Sequence, residues 1–156
     1  MERAQEVLKK LLELMGLDAD VEASENDERI LLVVKGADTG LVIGKKGQTL
    51  DALQHLVNKI VAQTRPEGDD GKAIHLDSEG YRDRRNESLV ELAHRLAEKA
   101  RRTGRPVAAD PMSAADRRVI HVTLAEAEGV TTRSEGEGIH RHLVVVPTSG
   151  ASSARS

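Results

Sequence analysis

The spacing of apolar residues divides the chain into alternating helical and extended segments. Across residues 2–15, Ala4, Val7, Leu8, Leu11, Leu12 and Met15 recur at three- and four-residue steps, which predicts a helix with one buried stripe, and Gly16 stands where a C-cap belongs. Residues 18–24 (DADVEAS) and 28–35 (ERILLVVK) read as strands joined by a hairpin turn at Glu25-Asn26-Asp27. Beyond Gly36, residues 38–43 read as a short helical turn. Residues 48–63 read as a long helix with Leu50, Leu53, Val57, Ile60 and Val61 on one face. Pro and Gly mark 65–71 as a loop, and 72–77 reads as a strand. In the second half, Leu89, Leu92, Ala93, Leu96 and Ala100 predict a helix over 79–103, closed by Gly104. A strand at 105–110, a helix from the N-cap Ser113 to residue 127, and strands at 130–134 and 141–146 about a turn at 135–138 complete the pattern. The expectation is an α+β chain: an α-β-β-α-α-β block over 1–77, a smaller α/β block over 79–147, and a small-residue tail at 148–156 expected to be disordered.

Composition narrows the function. The 156 residues suit one domain or two small ones. Tyr81 is the only aromatic residue, so a sheet or groove that stacks bases on rings has nothing to stack with. With no cysteine, disulfides, thiolate zinc sites and thiol catalysis are excluded. No apolar run suits membrane insertion, and the N-terminus alternates charge with apolar residues unlike a secretory signal, so the expected address is cytoplasmic. The net charge of −3 is unevenly spread. The first 78 residues carry 10 basic and 15 acidic side chains, the remainder 13 and 11. Local basic groups stand at Lys45-Lys46 and at Arg82, Arg84 and Arg85.

The strongest local signal is Ile43-Gly44-Lys45-Lys46-Gly47-Gln48. Two glycines three apart between helical segments let the backbone approach a phosphate closely. A helix starting at Gln48 aims its amides and positive dipole end at the same place, and the lysines add charge. A Walker A loop is excluded by spacing, because Gly40 stands one residue too close to Gly44 and Lys46 occupies the hydroxyl position. The bland alternative is a plain helix–turn–helix connection.

These residues carry a resemblance. Residues 1–77, with VIGKKGQTLDALQHLVN, resemble a type II K-homology (KH) domain, whose Gly-x-x-Gly loop grips single-stranded RNA or DNA. Residues 79–147, with GYRDRRNESLVELAHRLAEKA, PMSAADRRVIH and TTRSEGEG, resemble an R3H domain, a single-stranded nucleic-acid module named for Arg-x-x-x-His. In tandem they resemble the bacterial Jag family, the SpoIIIJ-associated or KhpB proteins. The resemblance maps the R3H motif onto Arg117 and His121. It also implies a small KH-only partner protein, a role in cell-envelope or division control, and a further N-terminal domain ahead of these two. The family pattern places an aromatic residue and a Glu before the arginine pair, where Ala115 and Asp116 stand here.

Read from the residues alone, Arg117 and His121 share a helix face at i and i+4. They either offer a guanidinium fork and an imidazole to a nucleic acid, or Arg117 pairs with Asp116 or a nearby Glu while His121 packs. The Arg82, Arg84 and Arg85 run is either an RNA-facing ridge or a salt-bridged helix surface. His140 and His142, alternating on a strand, would share one side but lack a third metal ligand. No nucleophile–base pattern, metal set or cofactor motif is visible. The expected function is non-catalytic binding of single-stranded RNA, or of single-stranded DNA, through Ile43, Gly44, Lys45, Lys46, Gly47 and Gln48, with bases over Leu41, Ile43 and Val33. The R3H face would extend the track. The alternative is a protein-interaction adaptor on the same scaffold.

Overall fold

The computed structural model describes residues 1–69 and 71–148, so the expected tail lies outside the described residues except for Thr148, whose N–H donates to Gly129 O at 2.9 Å. The chain divides into two units between Arg82 and Asp83.

In the first unit, α1 (Glu2–Leu14) buries Ala4, Val7, Leu8 and Leu12 at the expected three- and four-residue steps. Gly16 ends it at φ 71°, a left-handed conformation that leaves its N–H to bond Glu13 O at 3.0 Å and Leu17 N–H to bond Leu12 O at 3.0 Å. β1 (Asp20–Glu25) and β2 (Arg29–Lys35) pair antiparallel, from Asp20 opposite Lys35 to Glu25 opposite Ile30. Asn26 builds the hairpin, its Oδ1 accepting from the N–H groups of Glu28 and Arg29 at 3.0 and 2.9 Å. At the hairpin end of β1, the Lys72 ammonium bonded to Glu25 holds that carboxyl below its ordinary range. The chain then passes through α2 (Thr39–Ile43) and α3 (Gln48–Gln63) to β3 (Ala73–Ser78), which lies parallel to β2 and gives the order β1-β2-β3. Leu8, Leu12, Leu32, Leu50, Ile74 and Leu76 are fully buried between the helices and one sheet face.

β3 is an edge strand, and its outer side is closed by side chains. The Asn58 amide donates to Ile74 O at 2.7 Å and accepts from Ile74 N–H at 3.1 Å. Gln54 Oε1 accepts from Leu76 N–H at 2.9 Å, and Arg82 Nε donates to Leu76 O at 2.9 Å. An open edge is a template for another strand, and here its polar groups are satisfied from α3 and Arg82.

α4 (Tyr81–Thr103) begins two residues later than the spacing predicts, because Glu79 (φ 54°) and Gly80 (φ 68°) are both left-handed and cannot be helical. Its Leu89, Ala93, Leu96, Ala97 and Ala100 enter the core of the second unit, where they meet Ile120, Leu124, Leu143 and Val145. β4 is confined to Val107–Ala108 rather than 105–110, since Pro106 and Pro111 bracket it and lack N–H donors. α5 (Ala114–Leu124) is capped by Ser113, whose hydroxyl accepts from Asp116 N–H at 3.2 Å. It stops short of residue 127, as Ala125 and Ala127 turn to tighter bonds with Val122 and Leu124. β5 (Val130–Glu135) and β6 (His142–Pro147) are antiparallel, in the sheet order β4-β6-β5.

Candidate nucleic-acid interface

The first unit presents the Gly-x-x-Gly loop between α2 and α3. Val42 is fully buried and anchors the loop, while Leu41 is 63% exposed and Ile43 half-buried. Gly44 takes φ 71°, Lys46 φ 54° and Gly47 φ 75°, so three of four consecutive residues are left-handed. Both glycines are required by space as well. A Cβ on Gly44 would stand 2.9 Å from Thr49 Cβ, and one on Gly47 would stand 2.7 Å from Tyr81 Cε1. The lone aromatic ring is thus a wall under the loop, packed on the core of the first unit, and not a free stacking surface. Lys45 is exposed and Lys46 half-buried. No side chain caps α3, because its N-cap is Gly47. Its positive dipole end is therefore left to whatever binds the loop. One expectation is corrected: Gln48 N–H is already bonded to Lys45 O in a single 3-10 turn, so the free amides of α3 begin beyond Gln48. Val33 is half-buried on the sheet face opposite the one that Leu32 and Val34 bury under the helices.

The arginine run, open to both a ridge and a salt-bridged reading, has two of its members in ion pairs. Arg82 Nη1 bonds Asp51 Oδ1 at 2.7 Å, its Nη2 reaches Gln54 Oε1 at 3.3 Å, and its N–H bonds Asp77, so it ties α3 to β3 within the first unit. Arg85 bonds Asp116 Oδ2 through Nε and Nη2 at 3.1 and 2.8 Å within the second. Asp116 is therefore spent on Arg85, and the sequence alternative in which it pairs with Arg117 does not hold. Arg84, the third residue of the run, is exposed.

In the second unit, α5 and the edge strand β5 enclose a cleft of about 550 Å³ lined by Arg117, Arg118, His121, Thr132 and Arg133, with Leu143 and two alanines as its apolar part. Arg117 Nη1 donates to Met112 O at 2.7 Å, which fixes the guanidinium, while its Nε is buried with no hydrogen-bond partner among the described residues. His121 is exposed rather than packed, with Nδ1 2.6 Å from Thr132 Oγ1. Arg117 and His121 thus share one concave basic face, joined by Arg118, which the reading of the sequence did not single out; Arg133 borders the cleft as the alternate residue of β5 and pairs with Glu135. Strand alternation places Thr132 on the face of its partner Val145, under α5, but only the tertiary fold brings it to His121. His140 lies in a 3-10 turn and His142 opens β6, its Nδ1 3.0 Å from His140 O, so the two do not alternate along one strand. Among the described residues, no three acidic or histidine side chains group as metal ligands, and no helix is long and apolar enough to cross a membrane.

A Gly-x-x-Gly loop on α-β-β-α-α-β and an Arg-x-x-x-His helix over a three-stranded sheet define a tandem of a KH domain and an R3H domain. The profile of the KhpA/KhpB-type KH domain matches residues 1–70, and that of the R3H domain matches residues 87–147. The chain is 40% identical to the RNA-binding protein KhpB of Clostridium symbiosum over 92% of its own length and 64% of the relative's. It is 34% identical to the protein of the same name from Bacillus subtilis strain 168, over 93% of its length and 69% of the relative's. The chain belongs to the KhpB family and spans about two-thirds of the length of these relatives.

Proposed function

We propose that this chain is a non-catalytic binder of single-stranded RNA, with the Gly44–Gly47 loop holding the sugar-phosphate backbone and the cleft at Arg117 and His121 extending the contact. The observation that carries the reading is the loop itself: left-handed glycines with no room for a Cβ, two lysines, and a helix end without a capping side chain. Such a loop suits about four nucleotides and needs no aromatic stacking. The family membership and the relatives' names support RNA as the ligand. The resemblance extends the proposal to post-transcriptional regulation in the cytoplasm tied to the cell envelope or division, which RNA crosslinking in the native cell tests. Titration with single- and double-stranded RNA of one sequence at several salt concentrations tests the binding mode. Single-strand preference with a steep salt dependence is expected; duplex preference or a flat salt response overturns it.

One observation favours the adaptor reading as a second function of the same scaffold. On the first unit, Val7, Leu11, Leu14 and Ile60 line an apolar groove of about 440 Å³ rimmed by Arg3, Glu6 and Lys10, and Leu14 is 73% exposed. A groove of this kind suits a protein partner such as the small KH-only protein that the resemblance implies. Loss of partner binding, with RNA binding kept, in Leu14→Glu tests it.

A further inference from the structure

The cleft between α5 and β5 contains a contact that the Arg-x-x-x-His pattern does not include. His121 Nδ1 and Thr132 Oγ1 lie 2.6 Å apart. Whichever of the two donates, Nδ1 is occupied, and Nε2 is the ring nitrogen left for a ligand; it donates to an anion when the Thr132 hydroxyl donates to Nδ1 and the ring proton stands on Nε2. Thr132 is well placed to hold the ring. It is half-buried, its register partner Val145 is fully buried, and its β-branched side chain has few rotamers. The cleft around this pair carries Arg117 and Arg118, with Arg133, itself paired with Glu135, at its border, and among the described residues its lining includes no carboxylate. Of the nearest acids in sequence, Asp116 is engaged with Arg85, while Glu135 pairs with Arg133 and offsets its charge, so the attraction for an anion rests on Arg117 and Arg118. Such a lining attracts an anion, and in a single strand the anion is the backbone phosphate.

We propose that Thr132 is a positioning residue for nucleic-acid binding: its hydroxyl donates to His121 Nδ1, so that the ring proton stands on Nε2 and Nε2–H donates to a backbone phosphate of the strand lying against Arg117. This rests on the reading of the cleft as a second RNA site. The ring is then pre-oriented, and binding need not freeze it.

The experiment titrates the full chain with an oligouridine of about 12 nucleotides, long enough to pass beyond the roughly four held by a Gly-x-x-Gly loop. It compares the parent with Thr132→Val, Thr132→Ser, His121→Ala and the His121→Ala/Thr132→Val pair. The nitrogen chemical shifts of the His121 ring are recorded in the free protein, alongside thermal melts. Thr132→Val, nearly isosteric and at home in a strand, is expected to weaken binding about threefold to tenfold, the range of one hydrogen bond. Thr132→Ser, which keeps the hydroxyl, is expected to bind as the parent. The pair is expected to lose no more than His121→Ala alone, and the ring shifts are expected to move in the valine variant only. Parent-like binding by Thr132→Val while His121→Ala is weakened overturns the positioning role and leaves the cleft reading standing. Losses that multiply in the pair, or ring shifts unmoved in the valine variant, also overturn it. Parent-like binding by His121→Ala overturns the cleft reading and the proposal together.

Discussion

The loop of the first unit and the cleft of the second, proposed above to hold the same kind of ligand, are built by opposite means. The loop works through its backbone: Gly44 and Gly47 take positive-φ conformations in places with no room for a Cβ, and a helix end lies beyond them. The cleft works through side chains on separate elements, Arg117 and His121 from α5 and Thr132 and Arg133 from β5. A backbone site tolerates change in the side chains it leaves outside but not a single Cβ inside. A side-chain site tolerates backbone change outside its core but depends on second residues that hold the first. The lesson is that a motif read from the chain describes the first kind of site well and the second only in part.

The largest expected effect separates the two sites. Lys45→Asp/Lys46→Asp turns two attractions into repulsions, each in the range of about 1–4 kcal/mol at contact distance, so binding should fall by at least about a hundredfold for strands of every length. Asp tolerates the left-handed conformation of residue 46, so the melting temperature should hold. Unchanged affinity would place the main grip elsewhere.

Next comes the glycine requirement. Gly47→Ala should destabilise the first unit by about 1–3 kcal/mol, from the left-handed backbone and from the Tyr81 ring 2.7 Å from the new Cβ. Adding Tyr81→Ala should recover the spatial share if melting is compared with Tyr81→Ala alone. No such coupling in the melts would mean the ring gives way freely.

Removing both named residues of the cleft should cost less and only for long strands. Arg117→Ala/His121→Ala should weaken a strand of about 12 nucleotides by about 1.5–3 kcal/mol and leave one of about 4 nearly unchanged, because only the longer reaches a second tethered site. Equal loss for both lengths with a lowered melting temperature would make the pair structural. The same variant should flatten the log-affinity against log-salt slope by roughly 0.7 for each phosphate that the cleft no longer neutralises.

The smallest effect concerns the scaffold of the cleft. Ser113→Ala removes the α5 cap at a cost of about 1 kcal/mol in the second unit. The affinity for short strands should not move, which separates the cleft's support from the loop.

Much of this organisation is legible in the chain. The helix periods at Ala4–Leu12 and Leu50–Val61, the Asn26 turn, the Ser113 cap and the paired glycines are local features, and local physics settles them. The misplaced ends have local causes of another sort: two left-handed residues before Tyr81, and prolines bracketing β4. The assignments that needed the tertiary structure are those of charge partners. Arg82, Arg84 and Arg85 read as either a ridge or a salt-bridged surface, and which partners they would take could not be read: Arg82 finds Asp51 at a separation of 31 residues and Arg85 finds Asp116 at 31.

By itself, then, the sequence determined the order of elements, the glycine loop and the helix that carries Arg117 and His121. Hydrophobic period, capping and positive-φ turns are properties of neighbours along the chain. Only the tertiary structure decided that Tyr81 walls the loop, that Asn58, Gln54 and Arg82 close the β3 edge, and that Thr132 Oγ1 stands within hydrogen-bond reach of His121 Nδ1. Each of these depends on where a distant element brings one polar or aromatic group, to within about 3 Å for the polar ones. No periodicity encodes that distance; packing of the two cores sets it.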